Sequence, residues 1–160
     1  MKTERREKRR RLQLEVIKSL AGFFEKNVCW LAGGWAVEAI TGVRFFHDDI
    51  DLYFLDEFRG LLPAENDFLD IHIVSKKPDG SYRQVTMGEV LRFSSHAFEL
   101  KPRIIAGLEV RTVSPELLFA FADGSPDPRF QEKRTLRLLR GINMEKVGGI
   151  IQYLPEKSIK

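Results

Sequence analysis

Leu12, Val16, Ile17, Leu20 and Phe24 recur at helical spacing near the amino terminus, which predicts a helix with one stripe against a core. The charged turn ahead of it is expected to fray into solvent. Val28-Cys29-Trp30-Leu31-Ala32 is a short apolar run closed by Gly33-Gly34, the pattern of a buried strand. Trp35 to Ile40 reads as a second helix, with Gly42 in the position where a glycine ends helices.

Two later stretches alternate with period two. In Asp48 to Phe54, the residues Ile50, Leu52 and Phe54 fall on one face of a strand, and Asp49 and Asp51 fall on the other. In Phe68 to Ile73, Leu69, Ile71 and Ile73 oppose Asp70 and His72. Each strand therefore has a core face and a face bearing carboxylates, and pairing the two strands brings three carboxylates together. Asp48 is out of step and reads as a cap or turn residue.

Pro78-Asp79-Gly80 marks a turn between strands over 71–76 and 82–86, and Ala106-Gly107 marks a second hairpin within 104–110. Ser114 followed by Pro115 is a helix start running towards Ala122, with a break at Gly124-Ser125-Pro126. A final helix is expected from Pro128 to Leu139, and the last twenty residues fit no single pattern. Helices and strands in this order predict a mixed α/β or α+β domain.

Composition narrows the class. A chain of 160 residues, 43% apolar and 31% charged, corresponds to one globular domain at roughly 150 residues per domain. A single cysteine, Cys29, excludes an internal disulfide framework and a cysteine-built zinc cluster. No apolar run approaches the roughly 20 residues of a membrane-spanning helix. The basic amino terminus is followed by no secretory apolar region, so the cytoplasm is the expected location. Repeats, low-complexity stretches and linkers are absent.

Charge first suggests nucleic acid, because the net charge is +3. Residues 1–11, however, hold seven Lys/Arg and two Glu, a net of +5 that leaves −2 for residues 12–160. The chain thus divides into a basic amino-terminal segment, 1–11, and a slightly acidic domain, 12–160. Its aromatic residues are not interleaved with basic ones as a nucleic-acid platform requires, so no nucleic-acid partner is expected.

The segment His47 to Glu57 contains five carboxylates and no Lys or Arg. Asp49 and Asp51 on one strand face repel each other, and partial burial raises that cost unless a cation compensates. Hard oxygen donors favour Mg²⁺, which binds through one or two carboxylates together with substrate phosphates. Asp70 suits a second metal or the proton of an attacking hydroxyl. Gly33-Gly34, after a strand and opening a helix, can bring backbone N–H groups close to a phosphate. His72 reads as a structural partner of Asp70, while Lys133 and Arg134 read first as a solvated helix face. Most aromatics belong to the core, but Trp35, at the helix start, is expected to line a substrate cleft.

Trp30-Leu31-Ala32-Gly33-Gly34-Trp35-Ala36-Val37-Glu38-Ala39, then Thr41-Gly42, Arg44 and His47-Asp48-Asp49-Ile50-Asp51, resembles the nucleotidyltransferase superfamily. Within it, the chain is similar to the small adenylyltransferases that modify lincosamides and aminoglycosides. Leu69-Asp70-Ile71-His72, the Asp79-Gly80 turn, Ile105 to Val110 and Ser114-Pro115-Glu116 extend the likeness, which covers about residues 12 to 140. It departs at Glu38, where many relatives carry Asp, at the bulky Phe45 and Phe46, and in the closing helix around Lys133.

The resemblance implies a DNA polymerase beta-like fold, a mixed sheet flanked by helices in a minimal single domain. It implies that Asp49 and Asp51 ligate Mg²⁺ on the triphosphate of ATP or another nucleoside triphosphate. Asp70 would be the general base or a ligand of a second Mg²⁺. Gly33 and Gly34 would donate to the phosphates, with Trp35, Arg44, His47 and Lys133 around the nucleotide. The implied reaction is attack of a small-molecule hydroxyl on the α-phosphorus, releasing pyrophosphate, in a chain that can work as a homodimer. Two other readings remain open: protein AMPylation of the toxin–antitoxin type, and an inactive nucleotide-binding member of the fold.

Overall fold

A computed structural model of the protein describes residues 1–64, 66–86, 88–124 and 139–154. Helix α1 spans Lys2–Ser19 and a short α2 follows at Ala21–Glu25, with the break at Leu20. The front turn of α1 is helical from Lys2 rather than frayed. Arg9 donates to the Asp48 carbonyl, Arg10 to Glu38, and Glu7 pairs with Arg44, so this segment is tied to the body by its own charges. The buried stripe also differs from expectation. Leu12 is 46% exposed, and the face turned inwards carries Arg10, Gln13, Ile17, Leu20 and Phe24. Apolar periodicity passes over the first two of these because polar side chains are buried only where a partner waits for them.

β1 (Cys29–Leu31) is wholly buried and leads into α3 (Gly33–Thr41), which Gly42 ends in the left-handed conformation at φ 74°. β2 (Ile50–Leu55) follows, then a 3-10 segment (Asp56–Leu61), β3 (Leu69–Lys76), β4 (Tyr82–Thr86) and β5 (Glu89–Phe93). The second hairpin is β6 (Arg103–Ile105) and β7 (Leu108–Val110), with Ala106 and Gly107 both at positive φ in its turn. Ser114 Oγ accepts from the Leu117 N–H at 3.2 Å and caps α4 (Pro115–Gly124), as its position predicted. The patternless last twenty residues supply a short α5 (Met144–Val147), capped by Asn143, and β8 (Ile151–Leu154). The expected helix from Pro128, and Lys133 with it, lies outside the described residues.

Among the described residues, six strands form one mixed sheet in the order β1-β2-β3-β4-β5-β8, and β6 pairs with β7 alone. β2 and β3 run parallel, while the sheet's other neighbours are antiparallel. Thr112 bridges Leu31, so the segment after β7 extends the sheet beside β1. α3 packs on β2 and on the β6 hairpin, and α4 packs on α3 and α5. This is the α+β architecture expected from the order of the elements.

Ile50, Leu52 and Phe54 are fully buried, as the alternation predicted. The opposite face of β2 is polar only at its start, because Tyr53 and Leu55 are also buried. Tyr53 packs edge-on against Phe93 and Phe98, and Trp30 and Tyr82 continue this aromatic cluster. The carboxylates therefore sit where an apolar strand emerges at the sheet's end. Among the described residues no helix is long and apolar enough to cross a membrane.

Candidate active site

The parallel register sets Asp51 opposite Asp70 and Tyr53 opposite His72. Carboxylate oxygens of Asp51 and Asp70 and a ring nitrogen of His72 all lie within 4.8 Å of one another. Asp49, just before β2, is not in that group but is close enough to couple to it electrically. Burial, then the charges of Asp49 and Asp70, push the Asp51 carboxyl up to about 7. Asp49 is raised by burial and by the charges of Asp70 and Asp48, against the opposing charge of Arg9. Two strands thus hold a knot of concentrated negative charge.

His72 joins this knot more closely than its sequence position indicates. Its Nε2 is 3.6 Å from Asp70 Oδ2, and its ring stacks on Tyr53 at 5.1 Å. Gln84 Nε2 reaches His72 Nδ1 at 3.4 Å. With Gln84 on the Nδ1 side, Nε2 is the ring nitrogen that faces Asp70. The alternation along β3 is the signal: residues two apart share a face.

Gly33 faces the same knot from α3. Its φ is +56°, and a Cβ there would run into Asp51 Oδ2. A side chain is excluded both by conformation and by space. The Ala32 N–H donates to the Asp51 carbonyl at 2.9 Å, which locks the helix start to β2. The N–H groups of the first helical turn have no partner within the helix, so they are available in front of the carboxylates.

Gly34 faces a second cluster. A Cβ on it would lie 2.5 Å from His47 Nδ1 and 3.3 Å from the Phe45 ring. His47 Nε2 donates to Glu38 Oε1 at 2.9 Å, and Arg10 grips the two Glu38 oxygens at 2.7 and 2.5 Å. Burial works against the Glu38 charge, but hydrogen bonds from Arg10 and His47 and the Arg10 charge outweigh it and hold the carboxyl at about 2. Gln13 donates to the His47 carbonyl at 3.0 Å.

Trp35 does not line an open cleft. It is completely buried, with His47 stacked at 4.2 Å and Arg10 4.9 Å from the ring centre. A helix-start position faces inwards here because the buried Arg10–Glu38 pair needs an apolar cover. Arg44 is also apart from the carboxylates: it is exposed and paired with Glu7. The site residues named from sequence thus fall into two groups, Gly33 with Asp49, Asp51 and Asp70, and Gly34 with Trp35 and His47. Glu38, which the resemblance marked only as a departure from Asp, and Arg10, which no pattern in the sequence marked, join the second group as a buried ion pair.

No family model matches the sequence. Over 49 residues the chain is 51% identical to a 2''-aminoglycoside nucleotidyltransferase of Escherichia coli and equally to one of Klebsiella pneumoniae. That stretch is 29% of this chain and spans 28% of the length of those curated relatives. Solved structures carry the likeness further. The lincosamide antibiotic adenylyltransferase LnuA, lincomycin-bound, superposes with a TM-score of 0.60 at 22% identity, over 82% of this chain and 98% of its own. ANT(2'')-Ia in complex with adenylyl-2''-tobramycin gives 0.57 at 25% identity, over 87% and 94%. This chain has the nucleotidyltransferase fold. A solution structure of ANT(2'')-Ia agrees, with a TM-score of 0.57 at 26% identity over 84% and 86%. Within this fold the carboxylate knot lies where β2 and β3 begin.

Proposed function

We propose that this chain transfers a nucleoside monophosphate, AMP from ATP in the first instance, to a hydroxyl of an aminoglycoside or lincosamide. The observation that carries this reading is the facing of Asp51 and Asp70 across the parallel pair, directly in front of a helix start that only glycine can occupy. The names of the relatives supply the substrate class, and fold likeness by itself does not choose the acceptor.

The donor set fits a hard divalent ion. Asp51 and Asp70 offer oxygens within 4.8 Å, Asp49 adds a third charge, and the Asp51 carboxyl is raised first by burial and then by its charged neighbours, a cost to its ionised form that such an ion offsets. Asp49 and Asp51 would hold Mg²⁺, with Asp70 available to a second ion. Bound there, Mg²⁺ supplies positive charge to the phosphate oxygens and to the leaving pyrophosphate.

The protein's own groups divide the remaining work. Gly33 and Gly34 present N–H groups to the phosphates at the start of α3. Asp70 takes the proton of the acceptor hydroxyl as its oxygen attacks the α-phosphorus and the bond to the bridging oxygen of pyrophosphate breaks. His72 orients Asp70. His47 acts from beneath by fixing the Gly34 turn through Glu38.

The test is incubation with labelled ATP or GTP, Mg²⁺ and a panel of aminoglycosides and lincosamides, read by mass spectrometry. A drug heavier by one nucleoside monophosphate, with pyrophosphate released, is the expected result. Absence of product from every drug, with labelling of a co-expressed protein instead, overturns the antibiotic reading.

A further inference from the structure

A pocket of about 530 Å³ lies between α1 and the segment following α3, with Arg6, Arg9, Arg10, Arg44, His47 and Asp48 in its wall. Four arginines around one cavity repel one another unless anions neutralise them, and only two are neutralised by carboxylates. Arg10 is held by Glu38 and Arg44 by Glu7. Among the described residues, Arg6 and Arg9 form no ion pair. Arg6 lies over the Phe46 ring at 5.7 Å, and Arg9 over the Phe68 ring at 4.9 Å while it donates to the Asp48 carbonyl. Aromatic faces fix the guanidinium planes without neutralising them.

The pocket meets the reacting centre at one point. Its wall includes Asp48, the neighbour of Asp49, and the charge of Arg9 reaches the Asp49 carboxylate. His47, in the same wall, touches Gly34. A ligand that spans from the carboxylates into this pocket must carry several negative charges along a short chain.

We propose that Arg6 and Arg9, from the basic amino-terminal helix, bind the polyphosphate tail of the nucleoside triphosphate and the pyrophosphate split from it. This rests on the nucleotidyl-transfer reading. Guanidinium groups match phosphate oxygens two at a time, and two fixed guanidinium planes in a pocket of this size suit a diphosphate rather than a single phosphate. Two of the seven basic residues of 1–11 thereby belong to the donor site.

Calorimetric titration of the full chain with inorganic tripolyphosphate, ATP and AMP tests this. The Arg6→Gln/Arg9→Gln variant should lose tenfold or more in affinity for tripolyphosphate and ATP and keep that for AMP. Arg6→Gln, which leaves the Arg9 bond to Asp48 in place, should lose a few-fold, and Arg9→Lys should fall between wild type and Arg9→Gln. Unchanged tripolyphosphate affinity in a double variant that melts like wild type overturns the proposal, even if drug transfer proceeds. Arginine-dependent tripolyphosphate binding without transfer to any acceptor upholds the pocket and removes the transferase reading instead. A single-stranded oligonucleotide bound more tightly than tripolyphosphate, through the same arginines, also overturns it.

Discussion

Arg10 and Glu38 meet through two hydrogen bonds of 2.7 and 2.5 Å, with both side chains less than a tenth exposed. The pair joins the amino-terminal helix to α3 and, through His47, to the Gly34 turn. Removing one partner leaves a buried charge against apolar walls. Arg10→Met should therefore cost about 3–5 kcal/mol. Adding Glu38→Leu should recover much of that loss. Urea denaturation of the two single variants and the double variant measures both.

Glu38 also fixes how stability responds to acid. Its carboxyl is held at about 2 in the folded chain, below the roughly 4.3 of an unfolded glutamate. A depressed carboxylate contributes fully above its unfolded value and loses that contribution as pH falls towards the folded one. Between about pH 4.5 and 2, wild type should lose stability more steeply than Glu38→Gln. Chemical denaturation at half-unit steps reads the difference in slope.

Asp51 runs the other way. Its carboxyl is raised to about 7 in the folded chain, so the metal-free fold loses stability as pH climbs from about 4 towards that value and carries the full penalty above it. Asp51→Asn should be about 1–3 kcal/mol more stable than wild type at pH 8 without metal. Mg²⁺ should raise the Tm of wild type and leave that of Asp51→Asn unmoved. Nucleotide transfer should fall at least a hundredfold, a loss separated from folding by the variant's own higher Tm.

Glycines divide sharply by surroundings. Gly33→Ala forces a side chain into positive φ and against Asp51. It should cost about 1–2 kcal/mol from the backbone alone, with transfer lost. Gly22→Ala, in α2 with nothing within 4 Å of its Cβ, should be neutral or stabilise by about 0.5–1 kcal/mol. Thermal melts of the pair test whether the site glycine is chosen by space or by helix propensity.

His72 is expected to act through Asp70 rather than on the nucleotide. His72→Ala should lower kcat by about 10–100-fold, the usual cost of losing an orienting partner, while leaving KM for ATP within a few-fold. A large rise in KM with kcat intact would instead place His72 on the nucleotide.

Period-two patterning makes the carboxylate face legible in the sequence, because strand geometry fixes which residues share a face. Asp51, Asp70 and His72 are readable for that reason. The Gly33 start is readable because strand, glycine pair and helix follow in one unbroken stretch. Trp35 is open to two readings from sequence, core or cleft, and what decides for the core is the buried Arg10 that lies over its ring. Arg10 and Gln13 hide for a related reason: a polar residue on an apolar stripe looks like an error until its distant partner is known. β8 escapes because Tyr153 stands 74% exposed on a four-residue edge strand, leaving too little alternation to read.

The parallel pairing of β2 and β3 fixes Asp51 against Asp70 by main-chain register. Phe68, at the end of the connection between them, takes part in the alignment, its carbonyl accepting from the Ile50 N–H at 2.6 Å, so the stretch open to change is the loop ahead of Asn66. Lengthening it adds only loop-closure entropy, about 0.6 kcal/mol for each doubling. An insertion in that loop is therefore expected to leave the two carboxylates facing each other, because the bonds that align them begin only at Asn66 and Phe68.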